Sequence, residues 1–502
     1  MTTTLDAPPH GQLSATTRAW LERPLRSVLI GGQHRAGASN EVVPVIDPGT
    51  GSTFTSFPAA SAGDVAAAVA AARVAFDDGR WSEVDAERRE ELVHRLADLL
   101  RRDFETVAEL ESLDTGKPLA DARSDVDEAI AVLRYYAGWA TKVEGSVIPA
   151  PRQLFAVGTR EAVGVCAAIT PWNYPLPILM YKLAPAVALG NTFVAKPSEL
   201  ASLSTLYFAE LCTEAGLPDG VVNVVAGGRA TGAELSASPD LDKLAFTGST
   251  RTGQAVMVAA AQGLTKVSLE LGGKSPHVVF ADADLDAAVD AVMAGIWTNA
   301  GQVCIAGSRL IIERSVHDSF LDELHTRTAQ LTLGHGLAAG TDVGPLISRT
   351  QQQRVQQMIT QAESEGAEVR TSGMVPADGF FVAPTVVTGV NPGQGIERDE
   401  VFGPVLTVLP FDNEDDAVRL ANNTEYGLAS GVWSSNVGTI HRVARRLRAG
   451  TVWANTYGIF HPTLPFGGVK NSGFGRELGA EAVHHYTELK TTVIDLHPGT
   501  GH

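Results

Sequence analysis

The sequence predicts an α/β protein made of two such domains with a small β extension, and three observations carry that expectation. Its 502 residues exceed what one hydrophobic core accommodates, so two or three domains are expected. From about Ala162, short apolar runs alternate with helical segments in VGVCAAITP, NTFVAKPSE, VVNVVAGG, KLAFTGST and KVSLELGG. Repeated strand-helix units of this kind build a parallel sheet covered on both faces. After about Gly272 the alternation starts again in HVVFADADLDAAVDAVMAGIW, SRLIIERSVHDSFLDELHTRTAQL and EDDAVRLANNTEYGLASGVW, as expected of a second α/β domain.

The remaining segments follow in chain order. MTTTLDAPPHGQLSATTRAW lacks the apolar stretch of a signal peptide and reads as a disordered leader. From Asp64, the runs AAAVAAARVAFDD and SEVDAERREELVHRLADLLRRDFETVAELESLD place apolar residues three and four apart with charges between them, which predicts amphipathic surface helices. Residues 144–160 and the tail TTVIDLH read as β segments without a helix of their own, pairing either with each other or with another subunit.

Composition excludes several classes of function. Hydrophobic residues make up 44% and charged residues 19%, the profile of a folded globular chain. A formal net charge of −18 repels polyanions, so neither nucleic acid nor an anionic membrane surface is an expected partner. No run approaches the roughly 18 apolar residues of a membrane span. Cys166, Cys212 and Cys304 are an odd set without paired spacing, which suggests neither a disulfide framework nor a thiolate metal site and fits a reducing cytoplasm.

Cys304, in GQVCIAGSR, is the strongest candidate for chemistry. Cys166 and Cys212 sit within a predicted strand and a predicted helix and fit the inert buried thiol that free cysteines usually are. Cys304 instead falls among small residues between a helix-like run and the strand RLIIE, a placement that suits a thiol open to a cleft. Glu270, in KVSLELGGKSP, ends an apolar strand before two glycines, where a carboxylate is expected to have a raised pKa suited to a general base. Without context, a solvated glutamate at a strand edge is the commoner case. Asn173, between the prolines of ITPWNYPL, is either a stiffly held amide donor for an oxyanion or a structural turn residue.

Two further segments bear on ligand binding. FTGSTRTG leads from a strand into a helix expected to start near Thr252, where backbone N–H groups and the helix dipole favour a phosphate. A plain strand-to-helix turn explains it equally well. Gln254 stands where a P-loop has its lysine, and no G-x-G-x-x-G is present. In KPSE, Lys196 and Glu199 lie beyond the carboxyl end of a strand, where a carboxylate can bind ribose hydroxyls, although an isolated pair of this kind is more often a solvated loop.

Together ITPWNYPL, KPSE, FTGST, LELGGKSP, GQVCIAGSR, EVFGPV and PFGGVKNSGFGRELG resemble, in order and spacing, the motifs of the aldehyde dehydrogenase superfamily, from about Asp47 to Ile494. The resemblance implies a Rossmann-like cofactor domain from residues 1–143 and 161–272, a catalytic domain from 273–473 and an oligomerisation arm from 144–160 and 487–502, in a homodimer or homotetramer. It implies Cys304 as nucleophile, Glu270 as general base, Asn173 with the Cys304 N–H as the oxyanion hole, and Lys182 and Glu477 in supporting roles. For NAD it implies Lys196 and Glu199 at the adenosine ribose, Gly248 and Ser249 at the pyrophosphate, and Glu400 with Phe402 at the nicotinamide ribose. Thr170, Pro171, Trp172, Ser198, Gly227, Phe246, Leu271 and Gly272 complete that set, and no metal is implied. Glu199 would repel a 2′-phosphate, which favours NAD over NADP, with NADP tolerated more weakly through Lys196.

For the aldehyde, the aligned lining is Tyr174, Ile178, Tyr181, Val303, Ile305, Phe460 and Phe466, an apolar and aromatic set without a carboxylate. Aromatic or medium-chain aliphatic aldehydes are therefore expected. Betaine aldehyde and aminoaldehydes rank second, because tyrosine or phenylalanine replaces the tryptophans of a quaternary-ammonium cage. A coenzyme A-acylating enzyme, which needs no hydrolytic base, and a catalytically silent binding protein on the same fold rank lower still.

Overall fold

The structure is a computed structural model that describes residues 12–496. Its larger sheet runs, edge to edge, Gly473–Phe474, Lys266–Glu270, Lys243–Thr247, Val165–Ile169, Thr192–Lys196, Val222–Val225, Val28–Ile30 and Gln33–Arg35. The five strands from Lys266–Glu270 to Val222–Val225 are parallel, and an antiparallel strand closes each side. The chain winds from Val165–Ile169 outward to Val222–Val225, then returns to place Lys243–Thr247 on the opposite side of Val165–Ile169. Strand order therefore reverses between Val165–Ile169 and Lys243–Thr247, and a crevice opens beyond their carboxyl ends, where ligands of open α/β sheets bind.

The second sheet runs Glu368–Thr371, Thr385–Thr388, Val405–Phe411, Arg309–Glu313, Pro276–Val279, Ala429–Trp433 and Thr451–Ala454, parallel except at its first strand. Its central strands are buried at every position but Glu313 and Pro410, which explains why they read as continuous Val, Ile and Leu runs rather than as alternation. Glu270 ends a strand of the first sheet, whereas Cys304 and Glu400 each lie five residues before a strand of the second, Arg309–Glu313 and Val405–Phe411. The carboxyl edge of one sheet thus faces the amino edge of the other.

Local sequence explains how the helices begin and end. Ser61 and Asp64 form a reciprocal capping box at the start of Ala62–Asp77, and Asp284 caps Leu285–Trp297. The helix Phe104–Thr115 stops at Gly116, whose φ of +83° is left-handed. This helix is not the expected surface element: every residue from Thr106 to Thr115 is buried. Its charged Glu109, Glu111 and Asp114 find partners inside, which periodicity cannot foresee.

Part of the presumed leader is also ordered. Ala15–Leu21 is a helix capped by Ser14, with Trp20 and Leu21 packed into the core and Trp20 Nε1 donating to Glu210 at 3.1 Å. Residues 1–11 of that segment lie outside the described residues. The two isolated β segments pair with each other. Thr487–Asp495 runs antiparallel to Leu154–Ala162, which also pairs with Ser146–Ile148. The end of the tail, 497–502, lies outside the described residues. Among the described residues, no helix is long and apolar enough to cross a membrane.

Candidate active site

Cys304 is set in place by an unusual approach. Helix Leu285–Trp297 ends in a turn where Asn299, Ala300 and Gly301 all have left-handed φ, at 49°, 52° and 72°. A Cβ at Gly301 would lie 2.2 Å from the Gly403 carbonyl, so the turn both needs glycine there and packs against the loop after Glu400. The chain is thereby swung so that Cys304 stays half-buried while Cys166 and Cys212 are buried outright. Burial, with Glu270 and Glu400 as neighbouring negative charges, pushes the Cys304 thiol up to about 12. The resting group is a thiol and needs a base to react.

Two cavities meet at this thiol. One, of about 220 Å³, is walled by Pro171, Trp172, Asn173, Gly248, Ser249, Leu271, Gly272, Glu400 and Phe402 together with Cys304. It opens at the switch point of the first sheet. Ser249 caps helix Thr250–Ala261 through the Thr252 N–H, so the helix begins two residues earlier than the sequence predicts, directly after the lining residues Gly248 and Ser249. A Cβ at Gly272 would lie 2.4 Å from Glu400 Oε2, whose partner oxygen accepts from the Gly273 N–H at 2.9 Å. Trp172 and Phe402 meet edge to face at 5.2 Å. Gln351 and Arg354 also line this cavity. They lie on the amphipathic helix Arg349–Ser364, with no motif to mark them.

The remaining residues expected to hold the cofactor lie beyond that wall. Lys196 ends its strand, and its ammonium stands 3.5 Å from Glu199. Burial lowers the lysine pKa and Glu199 opposes that. The Thr170 N–H donates to the Lys196 carbonyl, tying the two strand ends together, and Thr170 Oγ1 is buried without a partner. Ser198 follows Lys196, Phe246 supports Gly248 from below with its ring, and Gly227 leaves room for Thr231.

The second cavity, of about 350 Å³, is lined by Tyr174, Ile178, Tyr181, Val303, Ile305, Phe460 and Phe466, with Cys304, Glu270 and Glu477 at its inner end. Tyr457 joins them, donating to the Ile305 carbonyl at 2.6 Å and stacked on buried His277. The expectation that no carboxylate faces this space does not hold. Asp121, Asp125 and Glu128 of helix Leu119–Ala137 are part of the wall. Asp125 pairs with buried Lys117, and Glu128 accepts from the Tyr181 hydroxyl. Burial raises all three, Asp125 to about 8. The helix carries no recognisable motif, so only packing reveals it.

Glu270 is buried, and its Oε2 has no partner. Desolvation, then the nearby Glu477 carboxylate, raises it well above the ordinary range, while Lys182 and Arg476 oppose the shift. Lys182 does not line either cavity. Fully buried, it donates to Thr247 Oγ1 at 2.8 Å and pairs with Glu477. Asn173 is also buried, and its Nδ2 donates to the Gln302 carbonyl at 2.9 Å. One N–H of that amide is used there, and Asn173 lines the first cavity together with Cys304.

The sequence profile of the aldehyde dehydrogenase family matches residues 34–492. A betaine aldehyde dehydrogenase of Bacillus subtilis is 44% identical over 94% of this chain and 98% of its own length, and a putative aldehyde dehydrogenase of the same organism is 43% identical over 94% and 96%. Among solved structures, the NAD+ complex of a Bacillus cereus aldehyde dehydrogenase is 41% identical and superposes with a TM-score of 0.94 over 97% of this chain and 99% of that one. The NAD+ complex of a Staphylococcus aureus betaine aldehyde dehydrogenase is 38% identical with a TM-score of 0.94, over 96% and 98%. A thiol shared by two cavities, a buried carboxylate beside it and these likenesses along nearly the whole chain lead to one conclusion: the protein belongs to the aldehyde dehydrogenase family.

Proposed function

We propose that this aldehyde dehydrogenase uses NAD to oxidise a neutral aromatic or medium-chain aliphatic aldehyde to its carboxylic acid. The observation that carries the reading is that Cys304 belongs to the walls of both cavities and is the one nucleophilic side chain among the residues they share, Ile178, Thr247 and Leu271 being the others. Glu270 takes the thiol proton, and the sulfur bonds to the aldehyde carbon. The resulting oxyanion is held by the free N–H of Asn173 and by the Cys304 backbone N–H. Trp172, Gly248, Ser249, Glu400 and Phe402, with Lys196 and Glu199 at the ribose, would hold NAD, which when bound would serve as the hydride acceptor for oxidation of the thiohemiacetal to a thioester. Once Glu270 has passed the thiol proton to solvent, it draws a proton from water, which adds to the thioester carbonyl; the carbon–sulfur bond breaks and that proton goes to the departing sulfur, releasing acid and thiol. Lys182 and Glu477 set the charge around Glu270.

Glu199 favours NAD, because its carboxylate accepts from a 2′-hydroxyl and repels a 2′-phosphate. The sheet of 146–162 and 487–496 leaves Val147, Leu489 and Val493 between 57% and 72% exposed, which supports an arm that joins copies into a dimer or tetramer. With it go a cofactor domain of 1–143 and 161–272 and a catalytic domain of 273–473. For the substrate, the wall holds no arginine or lysine among the described residues, which disfavours anionic aldehydes. Asp121, Asp125 and Glu128 favour a second reading, a cationic aldehyde of the betaine or aminoaldehyde type. It ranks below the first because Asp125 is committed to Lys117, Glu128 to Tyr181, and burial biases all three towards neutrality.

A panel of aldehydes followed by NADH absorbance tests both readings. The highest kcat/KM for a neutral aromatic or aliphatic aldehyde supports the first; a peak at a quaternary or primary ammonium aldehyde replaces it with the second. Coenzyme A is expected to leave the rate unchanged, and acyl-coenzyme A formation would overturn the hydrolytic mechanism.

A further inference from the structure

Lys117 sits in the turn between the buried helix Phe104–Thr115 and helix Leu119–Ala137, and its side chain has no exposure to solvent. Its ammonium pairs with the Asp125 carboxylate, donates to the backbone carbonyl of Asn173 at 2.8 Å and stands 4.2 Å from the centre of the Tyr174 ring. Two of its three N–H groups are thus used in hydrogen bonds, and the Tyr174 ring covers the ammonium. Asn299 Nδ2 donates to the same Asn173 carbonyl at 3.1 Å, and Glu111 accepts from the Leu176 N–H at 3.0 Å. The segment 173–176 is therefore pinned at both ends by the turn and helix that hold Lys117 and Glu111. Fixing the Asn173 carbonyl fixes the peptide plane behind its Cα, and so the direction in which its side chain leaves the backbone.

We propose that Lys117 is a positioning residue for the reaction, holding the Asn173 carbonyl so that the Asn173 amide is aimed at the oxygen of an aldehyde bonded to Cys304. The inference rests on the reading of Asn173 as oxyanion donor. Asp125 anchors the other side of the ammonium, and a side chain without a donor at that reach would leave the amide free to turn. A misplacement of the order of 1 Å is enough to cost about a hundredfold in rate.

The test compares Lys117→Met, Lys117→Arg, Asn173→Ala and the double variant Lys117→Met with Asn173→Ala. Lys117→Met is expected to lower kcat at saturating aldehyde by about tenfold to a hundredfold. Alkylation of Cys304 by iodoacetamide forms no oxyanion and is expected to stay within about twofold of wild type, which a general collapse of the site would not allow. Lys117→Arg restores part of the rate. The double variant loses no more than Asn173→Ala alone, because Lys117 acts through that amide. If Lys117→Met does not fold, Lys117→Met with Asp125→Leu removes both charges of the buried pair and is read in the same way. A kcat within about twofold of wild type, parallel loss of alkylation, or losses that multiply in the double variant overturns the proposal. Normal turnover in Asn173→Ala overturns the oxyanion assignment itself, whatever Lys117→Met does.

Discussion

Asn173 Nδ2 donates to the carbonyl of Gln302 at 2.9 Å, so the loop after the first central strand is tied to the chain two residues before Cys304. The bond joins the two halves of the site across 129 residues of sequence. On the proposed mechanism, the other amide hydrogen of Asn173 serves the oxyanion. Removing one such donor typically costs about a hundredfold to a thousandfold in kcat. Asn173→Ala is expected to lose turnover on that scale while binding NAD normally, as measured by steady-state NADH absorbance and by fluorescence titration of the apoenzyme.

Cys304→Ala is expected to abolish NADH formation with every aldehyde tested while NAD still binds. Neither Cys166 nor Cys212 can substitute, since both are buried and burial raises their thiols. Measurable turnover in the purified variant would contradict the nucleophile assignment.

Glu270→Gln separates the two halves of the reaction. With another route for the thiol proton at pH 9, one equivalent of NADH forms rapidly and steady-state release of acid stalls, leaving an acyl adduct on Cys304 that intact-mass spectrometry detects. A variant that turns over at the wild-type rate without accumulating the adduct would remove Glu270 from deacylation.

The pH profile carries a signed expectation. Burial and Glu477 hold the Glu270 carboxyl above its ordinary value, so the base is lost by protonation at a higher pH than a solvated glutamate would show. Glu477→Gln removes the repelling charge and leaves Lys182 as an uncompensated cation, which lowers the Glu270 pKa. The acid limb of kcat then moves to lower pH. Lys182→Met removes the opposing cation and moves it to higher pH. Stopped-flow or steady-state rates between pH 5 and pH 9 decide the direction of each shift.

The wall of the aldehyde cavity can be divided experimentally. Phe460 packs edge to face on Phe466 at 5.0 Å, and Phe460→Ala is expected to raise KM for aromatic aldehydes. Burying an aromatic ring is worth roughly 1.5–3 kcal/mol, or about tenfold to a hundredfold. Asp121→Asn leaves neutral aldehydes unaffected and weakens binding of ammonium aldehydes. Equal effects on both classes would show that Asp121 does not sense substrate charge.

Much of the site is legible in short stretches of sequence. Cys304 between a helix-like run and a strand, Glu270 at the end of an apolar strand before two glycines, and Asn173 between prolines each declare a local environment, and the alternation of strands and helices declares two α/β sheets. Local chemistry suffices there because turns, caps and strand ends are short-range features.

Tertiary structure alone decided which elements face one another. Asp121, Asp125, Glu128 and Lys117 lie on or beside a helix that carries no motif, and only its packing against Pro175–Ala188 brings them to the cavity. The same holds for Phe104–Thr115, whose charges look solvated in sequence and are buried in the fold, and for Gln351 and Arg354 beside the cofactor crevice. A contact between residues 56 apart, such as Lys117 with Asn173, depends on how whole layers stack, and no periodicity within either segment encodes it.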